Sequence, residues 1–285
     1  MKITEAGNTL LMIRSLVNAF TKTEQKVADY VLNHASEAIY LSITEMADRA
    51  GVGETTVLRF CRHIGFRGFQ EFKLSLAQDV VQPVLSFDKE IQDDDDEMAI
   101  SHKVVASHIR TLEETRDLLD PVKLYSAIEL LDQAGKIAFY GVGSSGIIAE
   151  QAASTFMRIG KYCEAPRDTH FQAMSASLLT EHDVVVGMSV SGSTKDTIDN
   201  LTIARQSGAK IICITHNARS PITKISDIDL LMSARENPLQ GSSLSAKIAQ
   251  LIVIDILCMG LTMRMKETTR LTKEKTSRAV LTKFY

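Results

Sequence analysis

The stretch ITEMADRAGVGETTVLRFCR, Ile43 to Arg62, constrains the fold of this chain more than any other. Met46, Ala47 and Ala50 give a short helix an apolar face with little bulk at its crossing point. Gly51 follows where the backbone must reverse, and glycine reaches positive φ at no steric cost. Val52 closes the turn, and Val57 with Phe60 forms the apolar side of a second helix. Small residues at the crossing and a tight turn let two helices pack as a helix-turn-helix. The second helix then exposes Glu54, Thr55, Thr56, Arg59 and Arg62, which can reach base edges and phosphates in a major groove. A helical hairpin with no nucleic-acid role is the plainer alternative. Turn chemistry, packing face and exposed face together favour the DNA reader.

With 285 residues the chain is long enough for two domains or one large one, and 45% apolar with 24% charged residues describes an ordinary soluble globular protein. The formal charge of -3 is an average that hides local patches. Between Arg49 and Lys73 five basic residues (Arg49, Arg59, Arg62, Arg67, Lys73) face two acids, Glu54 and Glu71. Attraction to phosphates is local, so this patch outweighs the total. The four cysteines, Cys61, Cys163, Cys213 and Cys258, form no C-x-x-C pair and no zinc spacing, and read as buried thiols of a reducing cytoplasm with no metal role. No signal peptide opens the chain. The apolar run Leu251 to Met263 is too short for a bilayer and carries Asp255, so it reads as a core helix and the protein as free of membrane.

Four regions are expected. Residues 1–82 form an all-α helix-turn-helix domain, in which Thr21 with Glu24, and Ser42 with Glu45, have the spacing of capping boxes. Residues 83–122 read as an acidic linker, Asp93 to Asp96 acting as solvated spacer, followed by a connecting helix over His102 to Leu119. Residues 123–267 alternate helices with short apolar runs. Strands are predicted at Lys136–Tyr140, Lys161–Glu164, Asp183–Ser189, Lys210–Thr215 and Asp227–Met232, which makes a five-stranded parallel sheet of an α/β domain. Helices fit over Ser145–Arg158, Phe171–Leu179, Thr194–Ser207 and Pro221–Lys224, and a long one from Ser243 to Met263 closes the domain. Residues 268–285 are a basic tail.

Two predicted strands end in loops of similar chemistry, GVGSSG (Gly141 to Gly146) and SVSGST (Ser189 to Thr194), each opening a helix. Free backbone N–H groups and a positive helix end favour an anion there, with hydroxyls as further donors. If the strand order is the flavodoxin-like 2-1-3-4-5, both loops border one crevice at the point where winding reverses. GVGSSG also fits a dinucleotide fingerprint at Gly141, Gly143 and Gly146, but the expected acidic ribose partner is not clear at Pro166 to Asp168. A Walker lysine is missing from SGSTKD, and small residues serving only as turns remain the plainest alternative.

SVSGST resembles the S-x-S-G-x-T signature of sugar isomerase (SIS) domains, and GVGSSG is similar to their first-strand loop. FCRHIGFRGFQEFK (Phe60 to Lys73), DTHFQAMSASLLTEHD (Asp168 to Asp183) and AKIAQLIVIDIL (Ala246 to Leu257) extend the likeness over nearly the whole chain. A helix-turn-helix domain followed by a SIS domain resembles the RpiR family of bacterial transcription regulators. The resemblance implies a SIS fold and a cytoplasmic regulator of a carbohydrate-metabolism operon, with no cofactor. Such a regulator binds a double-stranded DNA operator as a homodimer or homotetramer and senses a phosphorylated sugar. Its candidate DNA contacts are Ser42, Thr44, Glu54, Thr55, Thr56, Arg59, Arg62 and Lys73. Its candidate phosphate contacts are Ser144, Ser145, Ser189, Ser191, Gly192, Ser193 and Thr194. His170 matches a position that tends to face the sugar, and Lys247 stands where relatives often carry Arg. The alternatives are a SIS enzyme, whose general base would come from Glu150, His170, Glu181, His182 or Glu236, and a scaffold whose helical domain binds protein. No pattern singles out a base, and an enzyme has no use for Ile43 to Arg62.

Overall fold

The computed structural model describes residues 9–80, 91–92, 94–234 and 244–283. These fall into two compact units whose boundary lies inside one long helix, after Ala106.

The first unit is built from α1 (Thr9–Leu16), α2 (Lys22–Asn33), α3 (Ala35–Ala38), α4 (Ile43–Ala50), α5 (Glu54–His63) and α6 (Phe69–Val80). Both expected capping boxes form, Thr21 with Glu24 at α2 and Ser42 with Glu45 at α4. Gly51 ends α4 at φ 64°, the left-handed cap that releases the chain into the turn. Val27, Val31, Met46, Val57, Phe60, Phe72 and Leu76 are wholly buried in one core. Phe60 meets Phe20 and Phe72 at centroid distances of 5.2 and 5.8 Å, so the face of α5 opposite its exposed side is locked by aromatic packing.

α7 (Glu97–Leu118) begins before the expected His102, because part of the acidic run caps it: Asp96 Oδ1 accepts from Ala99 N at 2.7 Å. Lys103 Nζ lies 2.6 Å from Asp95 Oδ2. These two aspartates are therefore structural, which corrects the reading of the run as mere spacer. Asp93 and the domain edge near 82 lie outside the described residues. The second half of α7 belongs to the second unit, where Thr115 is buried and its Oγ accepts from Ser233 N at 3.1 Å.

The rest of the second unit runs through α8 (Pro121–Gln133), β1 (Ile137–Gly141), α9 (Ser144–Met157), β2 (Cys163–Glu164), α10 (Thr169–Ser177) and β3 (Val184–Met188). It continues with α11 (Lys195–Gln206), β4 (Lys210–Thr215), α12 (Pro221–Lys224), β5 (Ile228–Leu231), α13 (Leu244–Arg264) and α14 (Lys266–Val280). The sheet is wholly parallel, in the order β2-β1-β3-β4-β5. Ile137 and Phe139 face a core shared with α8, α9 and α13, whereas Ala138 and Tyr140 face the core under α10 and α11. Alternate residues of one strand thus enter two cores, the mark of a doubly wound sheet.

Three elements differ from expectation. β2 is two residues rather than four, an edge strand that pairs only Cys163 and Glu164 with β1. α8 was not expected; Asp120 Oδ1 caps it on Val122 N at 2.8 Å and Pro121 starts it. Most of the basic tail is α14, whose exposed face carries the pair Arg278–Glu274 at 2.6 Å.

α13 is long and apolar enough to cross a membrane by composition alone. Its face of Ala249, Val253, Leu257 and Leu261 is nevertheless buried in the sheet core, and Gly260 lies against Ile128 of α8. Cys61 and Cys213 are buried, and desolvation pushes both thiols up to about 12.

Candidate functional site

Two sites emerge, one in each unit. In the first, the turn between α4 and α5 is closed by Val52 N donating to Ala47 O at 2.9 Å. Thr55, Arg59 and Arg62 then stand exposed at i, i+4 and i+7 of α5, one continuous stripe, with Thr56 half-buried at its flank. Among the described residues neither arginine forms an ion pair, whereas Arg49 pairs with Glu37 at 3.3 Å and Arg67 with Glu71 at 4.0 Å. The positive charge on this face therefore concentrates on Arg59 and Arg62.

The remaining candidates turn inward. Lys73 is 6% exposed, and its Nζ donates to the carbonyl of Leu41 at 2.7 Å. It holds the chain entering α4 and does not present a charge to a phosphate. Ser42 is buried, its Oγ occupied by Glu45 N at 3.1 Å. Thr44 is also buried and donates its hydroxyl to Glu54, pinning the start of α5 to α4. These four residues shape the reading head rather than form its surface. The signal for Lys73 was in the sequence: it shares a helical face with Phe69, Phe72 and Leu76, all buried.

In the second unit the register puts Gly141 of β1 directly opposite Met188 of β3. Adjacent strands lie about 4.8 Å apart, so the loops that leave these two residues run side by side. Both open toward the carboxyl end of the sheet, where winding reverses between α9 and α10. Ser144 and Ser145 form the first turn of α9, with Ser144 half-buried and Ser145 6% exposed. In the second loop Ser189 Oγ lies 2.9 Å from Thr194 Oγ1. Ser193 N donates to Ser191 Oγ at 3.3 Å.

Gly192 sits at φ 64°, and a Cβ there would overlap the Ser220 side chain. The loop therefore requires glycine twice over, for its backbone angle and for that close approach. Asn217 Nδ2 donates to Ser191 O at 3.0 Å and Thr215 Oγ1 to Val190 O at 3.2 Å. The loop's carbonyls are held by β4 and the turn after it, and Ser189 N and Gly192 N are also spent, on Ile214 O at 3.2 Å and Ser189 O at 3.1 Å, so its hydroxyls are the main candidate ligand groups.

Sequence reasoning missed three buried tethers that bring other elements to these loops. Gln172 Nε2 donates to Gly141 O and to Pro166 O, both at 2.9 Å, which fixes the start of α10 beside the first loop. Asn200 Nδ2 donates to Thr169 O and to Gln172 Oε1, both at 3.2 Å. His170 is thereby held, exposed, in the first turn of α10. Gln250 Nε2 donates to Ser145 Oγ at 3.0 Å, and half-buried Lys247 lies one turn earlier on α13. The polar spacing within helices that otherwise read as apolar was the available signal.

Of the candidate bases, His170 stands exposed in the first turn of α10 beside the first loop, whereas the others do not gather there. Glu150 accepts both guanidinium branches of Arg167, and this pairing holds its carboxyl below the usual range. Glu181 and His182 are exposed just before β3, at the opposite end of the sheet. Glu236 lies outside the described residues.

The helix-turn-helix domain profile of the rpiR family matches residues 7–83, and the SIS domain profile matches residues 130–260. An HTH-type transcriptional regulator of Haemophilus influenzae is 39% identical over 281 residues, spanning 97% of this chain and 98% of that protein. HTH-type transcriptional regulator HexR of Escherichia coli is 35% identical over 257 residues, 90% of this chain and 89% of that protein. Among solved structures, Vibrio vulnificus NanR complexed with ManNAc-6P superposes with a TM-score of 0.87 at 30% identity, covering 97% of this chain and 99% of that one. A helical reading head, a SIS sheet with two hydroxyl loops at its switch point, and likeness along almost the full length agree: the chain belongs to the RpiR family of helix-turn-helix transcription regulators.

Proposed function

We propose that this regulator binds a double-stranded operator through α5 and that a phosphorylated sugar in the SIS crevice modulates the binding. One observation carries the reading: the Gly141–Met188 register sets two donor-rich loops side by side in a chain that also holds a DNA-reading helix. Ser144, Ser189, Ser191, Ser193 and Thr194 supply hydroxyls, Gly192 lets the loop backbone close around the anion, and Ser145 donates from the start of α9. His170 and Lys247 approach the sugar from α10 and α13. The phosphorylated ligand of NanR supports this ligand class. Thr55, Thr56 and Arg59 read base edges, and Arg62 contacts phosphate.

The protein acts as a regulator without catalysis: Glu150 is committed to Arg167, Glu181 and His182 lie at the far end of the sheet, and His170 faces the ligand as a binding group with no second candidate base beside it among the described residues. It works in the cytoplasm, where the operator is, as a homodimer or homotetramer, because paired half-sites need paired readers. The exposed Met259 and Met263 of α13 suit such an interface.

A thermal-shift screen of sugar phosphates beside their unphosphorylated sugars, with electrophoretic mobility shift on DNA from the protein's own promoter region, tests the reading. A sugar phosphate should raise the melting temperature and change operator affinity, and its parent sugar should do neither. Equal responses to both would remove the phosphate from the argument.

A further inference from the structure

Gln250 is wholly buried on the inner face of α13, in a run that is otherwise largely apolar. Its Nε2 donates to Ser145 Oγ at 3.0 Å, while its Oε1 has no hydrogen-bond partner among the described residues. Burying an unpaired amide oxygen is costly, so a side chain kept only to join two helices would be cheaper as an apolar one. The amide must be explained by what it does to Ser145.

A serine hydroxyl has one proton to donate and lone pairs with which to accept. Because Ser145 accepts from the amide of Gln250, its own proton remains for another acceptor. Ser145 belongs to the first turn of α9, at the border of the crevice, where the helix end also favours an anion. Lys247 precedes Gln250 by three residues and shares its side of α13.

We infer that Gln250 is a positioning residue for the effector. It fixes the polarity of Ser145, so that the hydroxyl donates to a phosphate oxygen, and the same bond links the ligated crevice to α13. This rests on the reading of the crevice as a sugar-phosphate site. A neutral donor is essential to the role. Glutamate has the same shape, but its carboxylate would accept the Ser145 proton and set a second negative charge beside the phosphate. Protonated, the same side chain donates and restores the arrangement. Methionine keeps the volume and loses the donor.

The test is calorimetric titration of the full-length wild type, Gln250→Glu, Gln250→Met, Ser145→Ala and the Ser145→Ala/Gln250→Met double variant. The probes are N-acetylmannosamine 6-phosphate, glucose 6-phosphate and inorganic phosphate, at about pH 8.5 and about pH 6. For a probe that the wild type binds, Gln250→Glu should weaken affinity about tenfold or more at the higher pH, the size of a lost charge-assisted bond. That deficit relative to wild type should shrink at the lower pH. Gln250→Met should be weaker by a few-fold at both pH values, and should cost nothing further once Ser145 is alanine. A merely structural amide would give additive losses and no pH-dependent recovery, and that result overturns the inference while leaving the sugar-phosphate reading intact. So would unchanged affinity in both Gln250 variants. If Gln250→Glu proves unfolded by circular dichroism, the methionine cycle decides alone: coupling to Ser145 supports the inference and additivity overturns it. A wild type that binds none of the three probes overturns the sugar-phosphate reading, and the inference with it.

Discussion

Lys73 Nζ donates to the carbonyl oxygen of Leu41 at 2.7 Å, so a lysine expected on the DNA face instead anchors the segment that delivers Ser42 to the cap of α4. Removing the donor leaves a partly buried carbonyl unpaired, a loss of about 1–3 kcal/mol. Lys73→Met should lower the urea midpoint accordingly. Once folded, the variant should keep the wild-type salt dependence of operator binding, since it removes no phosphate contact. A salt slope reduced by about one would return Lys73 to the DNA surface.

Arg59 and Arg62 share one exposed stripe of α5 with Thr55, yet their losses should differ in kind. Arg59→Ala should cost about 1–3 kcal/mol and relax preference at one operator position, the behaviour of a base contact. Arg62→Ala should weaken all sequences alike and flatten the salt dependence. Fluorescence anisotropy on the operator and on single-base variants, across salt concentrations, separates the two. If Thr55→Ala, Thr56→Ala and Arg59→Ala all leave discrimination unchanged, α5 is not the reader.

Where periodicity, caps and turns all act locally, the sequence was enough. β4 and α12 fall on the expected residues, and the observed strand order is the one under which the two loops border one crevice. The helix-turn-helix was equally legible, because Gly51 and the apolar positions around it leave few other ways to pack. What escaped depends on partners distant in sequence. Lys73 reads by charge as a phosphate ligand although it shares a face with buried Phe69, Phe72 and Leu76, and the partner that settles its role, Leu41, lies 32 residues away. Gln250 reads as a break in an apolar helix until Ser145, 105 residues away, accepts the hydrogen bond of its amide. Composition misled in the acidic run and the basic tail, where charge suggests solvation but Asp96 caps α7 and the i,i+4 pair Arg278–Glu274 supports α14. Of the candidate sites, the hydroxyl loops were visible as motifs, whereas the tethers that orient them showed only as polar positions in otherwise apolar helices.

Glu24 gives the first unit a pH response with a definite sign. Burial pushes its carboxyl up, but hydrogen bonds from Thr21 N at 2.9 Å and Thr21 Oγ1 at 2.8 Å, with the charge of His63, hold it below the usual range. A carboxyl with a lowered folded pKa contributes stability that is complete above its unfolded value and is lost as pH falls through the folded value. Stability should therefore decline from about pH 5 downward, as expected for such a carboxylate. Glu24→Gln, which keeps an acceptor for Thr21, should be less stable at neutral pH and show a flatter profile below that point. Urea denaturation from pH 3 to pH 7 measures both slopes; parallel profiles would assign the acid response to other carboxylates.

The second loop allows the sharpest separation of sensing from reading. Ser189 Oγ and Thr194 Oγ1 lie 2.9 Å apart, and Ser191 Oγ already receives Ser193 N, so the hydroxyls form one cluster and act together on an anion. Charge-assisted hydrogen bonds are about twice as strong as neutral ones, so loss of two donors should remove most of the ligand affinity. At a ligand concentration about 100 times the dissociation constant, the wild type should gain about 2.7 kcal/mol and melt several degrees higher. Ser189→Ala combined with Ser191→Ala should abolish that shift. The operator affinity of this double variant should equal that of the unliganded wild type and should not respond to the sugar phosphate, because neither residue belongs to the DNA-reading helix. An effector response that survives the double substitution at the same ligand concentration would place the sensing site outside this crevice.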